Sequence, residues 1–467
     1  MKELGKTKVF ELLSIFTEKE WRQLGRLPQV VNSPHLKALY AFLDHYYPDF
    51  KSVPNDRTAL FTAVFGQIPY EDKKLRYVLT DMQRAAEMHL TMLSIGSRPG
   101  EGSRILEAEL ARRGAGKNFI SRYRNKDAEA NDNDAASVSE KFFMDFRREE
   151  TYLMHYLPQL KRGESNISET ARSLDLFYIV KKLQLMCEMV NIRNVLQVEV
   201  VSQLDHELAA ALQNGVYADV PAVSAWYNVW LTLTEPANEK HFWALHETLI
   251  RSFADFPLDE LRDMFKYLMN YCIRRINTGD TAFIGTLLNI YKTLLERGII
   301  FTDGYLSQWD YKNITAIGVR SGENEWTGTF IEQYRSKLRS QERENAYTYN
   351  RAYFLFSTGR RTEARSLLRQ VEFSDLYYQL DSRVILLKCY FEDGDEDAFF
   401  YHASAFRLFL SRNKQISAYQ RTVYRNLIRY SSRILQANGN PQKLAAIKSE
   451  VERVKHVADI GWILRRL

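Results

Sequence analysis

Apolar residues recur along almost the whole chain at intervals of three and four positions, the spacing that places side chains on one face of an α-helix. In the stretch 34–47, for example, Leu36, Leu39, Tyr40 and Leu43 fall on a common face. Apolar and polar residues nowhere alternate over a stretch long enough to indicate a β-strand. The pattern therefore predicts an all-α fold.

Signals for helix ends divide the N-terminal part into several helices. Thr17 is followed three positions later by Glu20, which predicts a capping box in which each residue satisfies a free backbone donor of the other. The dipeptide Ser33-Pro34 predicts an N-cap followed by the first helical residue. A longer amphipathic helix is expected over Glu71–Ile95.

The chain of 467 residues is too long for one compact core, so we expect more than one folded region or an elongated array. Residues 127–137 are polar and lack large apolar side chains, which predicts a loop or linker and a domain boundary there. This divides the chain into an N-terminal helical region, 1–126, and a helical-repeat region, 138–467. The second region has a basic end from about 402 onward.

A helix–turn–helix pattern stands out in the stretch NRAYFLFSTGRRTEARSLLRQV, which begins at Asn350. Small residues where two helices cross let the backbones approach closely, and glycine at the turn accepts a left-handed conformation. Apolar residues then continue the buried face of the second helix. The residues that carry this pattern are Ala352, Gly359, Ala364, Leu368 and Val371.

The pattern recurs with lower fidelity. A second turn glycine, Gly394, follows Gly359 by 35 positions (394 − 359), and a weaker match centres on Gly279. The second unit departs from the pattern at Phe399, where a small residue is usual. These motifs resemble the tetratricopeptide repeat (TPR), a helix–turn–helix unit of about 34 residues. The resemblance implies antiparallel helix pairs stacked as an α-solenoid with an extended binding surface.

Two longer stretches are similar to a bacterial family of helical-repeat proteins. The similarity is carried by YNRAYFLFSTGRRTEARSLL at 349–368 and by LDSRVILLKCYFEDG at 380–394. It implies the same repeat architecture and no particular function.

Positive charge is concentrated at the C-terminal end. The whole chain has a net charge of +6, whereas residues 402–467 hold 13 basic and three acidic residues, a net charge of +10 (13 − 3). A predicted helix in this C-terminal end carries arginine at every fourth position, and we call these residues the arginine row. From one arginine to the next, the side-chain direction shifts by only about 40° around the helix. With two neighbouring tyrosines, the candidate anion-binding residues are Arg421, Arg425, Arg429, Arg433, Tyr419 and Tyr430.

No motif in the sequence indicates catalysis, and neither a cofactor nor a metal site is expected. Cys187, Cys272 and Cys389 are widely spaced and form no CxxC pair, so we expect them to be reduced core residues. The acidic run 392–397 lacks the ligand spacing of a calcium loop. It coincides with the turn of the second repeat, where carboxylates stabilise the start of a helix. The chain is therefore expected not to be an enzyme.

A cytoplasmic location without membrane attachment is expected. No apolar run approaches the roughly 20 residues that span a bilayer. The first 21 residues lack the uninterrupted apolar stretch and the small-residue cleavage site of a signal peptide.

Two functions fit these observations. The first is a non-catalytic interaction scaffold that binds a protein or peptide partner on a helical-repeat surface. The alternative is a nucleic-acid or ribonucleoprotein-binding protein, with a regulatory role, in which the arginines of the basic C-terminal helices, beside aromatic residues, follow a nucleic-acid backbone. The arginine row also has a simpler interpretation, as a solvated helix face or as arginines paired with acids of a neighbouring helix.

Overall fold

The computed structural model describes residues 7–53, 55–97, 99–124, 137–156, 165–196, 202–370, 375–454 and 456–467. Within these ranges the secondary structure is helical and no strand occurs, apart from two isolated bridges, Thr302 with Tyr305 and Leu306 with Leu338. The prediction of an all-α fold is confirmed. The chain divides into two compact units, Met1–Leu185 (unit 1) and Met186–Leu467 (unit 2).

Unit 1 consists of short helices followed by longer ones, together with a 3₁₀ turn at Phe50–Ser52. In chain order the helices are α1 (Lys8–Ser14), α2 (Glu18–Leu24), α3 (Pro28–Val31), α4 (Pro34–Asp44), α5 (Arg57–Phe65), α6 (Asp72–Ser97), α7 (Pro99–Arg112), α8 (Gly116–Arg124), α9 (Val138–Tyr156) and α10 (Ile167–Leu196).

The predicted helix starts of unit 1 are confirmed. The Thr17 hydroxyl accepts from the Glu20 N–H, and the Glu20 carboxylate accepts from the Thr17 N–H at 2.8 Å, which completes the capping box. Ser33 caps α4 by accepting from the Leu36 N–H, with Pro34 as the first helical residue. Side-chain oxygens thus satisfy backbone donors that have no partner inside the helix.

An aromatic cluster forms the centre of the N-terminal core. Trp21 is buried, and its indole N–H donates to Asp44 at 2.7 Å. Its ring stacks on Tyr40 and Tyr47 at centroid distances of 4.6 and 5.4 Å. The indole N–H therefore keeps a hydrogen-bond partner although the ring is removed from water, as a buried tryptophan requires.

The predicted linker lies almost wholly outside the described residues. Of 127–137, the structure describes only Ser137, which precedes α9. The domain boundary proposed for this segment stays a prediction. The division between the two compact units falls between Leu185 and Met186, in the sequence of α10.

Unit 2 continues with helices of more even length. They are α11 (Asp205–Gln213), α12 (Pro221–Thr234), α13 (Glu239–Arg251), α14 (Leu258–Asn277), α15 (Ala282–Glu296), α16 (Gln308–Arg320), α17 (Asn324–Tyr334), α18 (Ser340–Ser357), α19 (Arg361–Gln370), α20 (Leu376–Glu392), α21 (Glu396–Arg412), α22 (Ala418–Gln436), α23 (Pro441–Arg453) and α24 (Ile460–Leu464).

Helices of unit 2 pack mainly against their neighbours in sequence. Each helix from α12 onward contacts the helix that follows it. Helices two apart also contact each other: α12 with α14, α16 with α18, α18 with α20, and α22 with α24. Much of the packing therefore joins segments that are close along the chain.

Four residues of the helix–turn–helix pattern that begins at Asn350 lie on α18, on α19 and in the turn between them. Ala352 on α18 and Ala364 on α19 are fully buried, as is most of Leu368. Gly359 between the two helices has φ of +84°, and its N–H donates to the Phe356 carbonyl at 3.2 Å. A left-handed glycine with this hydrogen bond is a standard helix end. Val371 lies outside the described residues.

The turn at Gly394 has the same geometry as the turn at Gly359. Gly394 has φ of +69° and donates to the Phe391 carbonyl at 3.2 Å. Asp393 accepts from Arg361 at 2.6 Å, and Asp395 caps α21 by accepting from the Ala398 N–H. These acids of the run 392–397 are thus engaged in contacts within the fold.

The short helix α24 closes the core formed by α20–α23. Trp462 is buried in this core, and its indole N–H donates to Glu392 at 2.9 Å. The buried ammonium of Lys388 forms an ion pair with Asp459 immediately before α24. Apolar burial and two polar contacts therefore hold α24 in place.

Candidate functional site: a basic groove between α21 and α22

Helix α22 carries the arginine row, and its sequence fixes which side faces outward. Ser417 and Gln420 form a capping box that starts the helix. Leu427, Ile428 and Ile434 are buried, so the opposite side of α22 faces solvent. The arginine row lies on that outer side.

A single carboxylate forms ion pairs with two of the four arginines. Glu450 on α23 accepts from Arg429 at 2.8 Å and forms an ion pair with Arg433. The hydrogen bond from Arg433 is the largest of the effects that keep the pKa of the Glu450 carboxyl below its ordinary value. Glu450 is therefore ionised at neutral pH and partly neutralises both arginines.

Arg421 has a structural role at the start of α22. Its guanidinium donates to the carbonyls of Asn413 and Ile416, each at 3.3 Å. These carbonyls belong to the loop between α21 and α22. Arg421 therefore fixes the loop, and only part of its side chain is exposed.

Arg425 differs from the rest of the row. Its side chain is exposed, and the described residues provide it with neither a hydrogen-bond acceptor nor an ion-pair partner. It lines an open groove of about 580 Å³ between α21 and α22. We call this the basic groove, lined by Ser404, Arg407, Leu408, Ser411, Arg425, Asn426 and Arg429.

The groove combines positive charge with an apolar contact. Arg407, Arg425 and Arg429 contribute guanidinium groups, and the lining contains no carboxylate. Leu408, which also lines the groove, is 47% exposed. Guanidinium groups suit the planar fork of a carboxylate or the oxygens of a phosphate, whereas Leu408 suits an apolar side chain.

The two tyrosines of the predicted site occupy different environments. Tyr419 is exposed, and its ring lies 5.4 Å from the His456 ring. Tyr430 is only 1% exposed, and its hydroxyl donates to Glu450 at 3.2 Å. The Tyr430 ring therefore belongs to the core and is not exposed beside the arginines. Burial is also the main cause that raises the pKa of its hydroxyl.

Sequence reasoning missed the half of the groove that α21 supplies. Ser404, Arg407, Leu408 and Ser411 occupy positions i, i+3, i+4 and i+7, so they lie on one helix face. The signal was therefore present in the sequence. It could be connected with the arginine row only once α21 was known to pack against α22.

In the described ranges the potential metal ligands are dispersed, and the cysteine thiols are buried. Within the described ranges no three His, Cys, Asp or Glu residues lie close enough together to hold a metal ion. The three cysteines are buried and unpaired, as predicted, and burial raises the pKa of the Cys272 and Cys389 thiols to about 12. These thiols are consequently protonated at neutral pH and poor nucleophiles.

Comparisons with known proteins supply no relative. No protein-family model, no curated protein and no solved structure matches the chain. Among the helices of the described ranges, none has the length and apolar composition needed to span a bilayer.

Proposed function

We propose that this chain is a non-catalytic interaction scaffold in the cytoplasm, whose basic groove binds an acidic segment of a protein partner. In this proposal the helix pairs of unit 2 stack as a TPR-like α-solenoid. The observation that carries the proposal is Arg425, an exposed arginine without a partner among the described residues, in a groove that contains an exposed leucine and no carboxylate.

The packing of unit 2 supports a repeat architecture. Successive helices contact each other from α12 to α24, and contacts also join alternate helices. Gly359 and Gly394 end α18 and α20 with the same left-handed geometry. Stacked helix pairs present an extended surface that suits recognition of another chain better than bond-making.

The charge distribution supports an acidic segment with apolar side chains. A carboxylate can receive two parallel hydrogen bonds from a guanidinium such as that of Arg425. Leu408 gives an apolar side chain of the same segment a place to bury surface. An interface of this kind combines a few charged contacts with apolar ones, as protein–protein interfaces commonly do.

Nucleic acid is the second candidate partner, supported by the net charge of +10 in residues 402–467. A phosphate backbone would be followed best by several unengaged arginines beside exposed aromatic rings. Arg429 and Arg433 are instead engaged by Glu450, and Tyr430 is buried. A short acidic segment needs fewer free arginines than a nucleic-acid strand, so we favour the protein partner.

The test is affinity purification of the tagged full chain from its own cells at low salt, with half of each sample treated with nuclease. Arg425→Glu is compared with Arg412→Glu, because Arg412 is an exposed arginine at the end of α21 that does not line the groove. Both variants change the net charge equally. A charge-assisted hydrogen bond contributes about 1.5–3 kcal/mol, so Arg425→Glu should weaken partner binding at least about tenfold.

We expect a protein partner that survives nuclease, is retained by Arg412→Glu and is lost with Arg425→Glu. Recovery of nucleic acid in the untreated half, or loss of the partners after nuclease treatment, would favour nucleic acid as the partner instead. A protein partner that binds Arg425→Glu as well as wild type would show that the groove is not the binding site.

A further inference from the structure

Helix α10 carries apolar residues on two opposite faces. One face is buried in the protein and includes Ile179, Val180 and Leu183. The other face is exposed along its length within unit 1. Its members, which we call the α10 stripe, are Ile167, Ala171, Leu174, Tyr178, Lys181 and Leu185.

The spacing of the α10 stripe is that of a coiled-coil seam. Its members follow one another at intervals of four, three, four, three and four residues, the repeat that keeps side chains facing a second helix. On an α-helix they lie within about 80° of the circumference and extend over about 27 Å. Scattered surface leucines need no explanation, but an exposed apolar row with this period indicates a helical partner.

We propose that the α10 stripe pairs antiparallel with the α10 stripe of a second copy of this chain. A two-fold axis between Tyr178 and Lys181 would place Leu174 of each copy opposite Leu185 of the other. It would also place each Tyr178 ring opposite the Lys181 ammonium of the other copy. Each contact then occurs twice, as the symmetry of a two-fold dimer requires.

Charge complementarity selects this orientation and this partner. A parallel pair would bring the two Lys181 ammonium groups together at the centre of the seam, where like charges repel. The antiparallel pair gives each ammonium a tyrosine face, with which a cation interacts favourably. The stripe thus complements itself without any residue from a different protein.

The experiment measures the mass of the full chain by sedimentation over a range of micromolar concentrations. Wild type should approach twice the 54.7 kDa of one chain. Leu174→Glu and Leu185→Lys should each raise the dimer dissociation constant at least about 100-fold, because each change removes two leucine contacts. Leu174 and Leu185 are 44% and 51% exposed, so neither change disturbs the core.

The double variant L174E/L185K tests the orientation. In the antiparallel pair each new glutamate faces a new lysine, so the double variant should dimerise more tightly than either single variant. In a parallel pair like charges would meet and the double variant would dimerise no more tightly than the single variants, which would overturn the proposal. Met154→Glu is the control, because Met154 is an exposed apolar residue of unit 1 outside the stripe.

A monomeric wild type, or a dimer that persists in Leu174→Glu, would equally overturn the proposal. The inference is independent of the basic groove, since Arg425→Glu leaves the α10 stripe unchanged. Loss of dimerisation in stripe variants and loss of partner binding in groove variants therefore report on different surfaces.

Discussion

Two glycines of unit 2 should respond in opposite directions to the same substitution. Gly394 follows the end of α20 with φ of +69°, whereas Gly285 lies inside α15. A Cβ atom added at either position would meet no heavy atom within 4 Å. The effect of Gly→Ala should therefore depend on backbone conformation alone.

The expected magnitudes follow from the two conformations. At Gly394, an L-residue in the left-handed region costs about 1–2 kcal/mol. Alanine also restricts the unfolded chain, which offsets about 0.4–1 kcal/mol of this cost. The net destabilisation by Gly394→Ala is about 1 kcal/mol. At Gly285 alanine is preferred in a helix interior, so Gly285→Ala should stabilise by about 0.5–1 kcal/mol.

Urea denaturation of both variants and wild type, followed by circular dichroism and tryptophan fluorescence, measures these differences. With a denaturant dependence of about 3 kcal/mol per M, a change of 1 kcal/mol shifts the midpoint by about 0.3 M. If Gly394→Ala were as stable as wild type, the left-handed turn between α20 and α21 would be refuted. A loss of stability in Gly285→Ala would refute its position inside α15.

Two further substitutions test contacts of the C-terminal helices. Glu450→Gln should lower the free energy of unfolding at pH 7 by at most about 1 kcal/mol, because the ion pairs are partly exposed. Since folding lowers the pKa of Glu450, the difference from wild type should begin to shrink near the ordinary value of 4.5 and be lost as the pH falls through the lower pKa of the folded state. A difference that persisted at still lower pH would contradict the pairing. Trp462→Ala should destabilise by about 3–5 kcal/mol, whereas Trp243→Ala, at a residue 46% exposed, should cost much less in the same urea titration.

Local features of the fold could be predicted because their causes lie within a few residues. The capping box of Thr17 and Glu20 and the turn at Gly359 depend on backbone hydrogen bonds between near neighbours. The burial of Ala352 and Ala364 follows from helical spacing. Helical spacing alone does not determine which other helices these helices pack against.

The candidate site was harder to predict because distant residues determine its charges. Glu450 lies 17 positions beyond Arg433 and 21 beyond Arg429, yet it pairs with both. Tyr430 lies three residues after Leu427 and four before Ile434, both buried, so helical spacing could have placed it in the core. The apolar content of α10 was visible, but which of its faces remains exposed depends on the packing of the folded chain.

The three cysteines allow the opening of unit 2 to be measured separately from that of unit 1. Cys187, Cys272 and Cys389 all lie beyond Leu185, on α10, α14 and α20, and each thiol is buried. A buried thiol reacts with an alkylating reagent only when its surroundings open. Alkylation of the native protein, resolved by peptide mass, would therefore record the opening of unit 2 near its start, in its middle and near its end. Unit 1 has no cysteine, so its opening would not contribute to the measured alkylation.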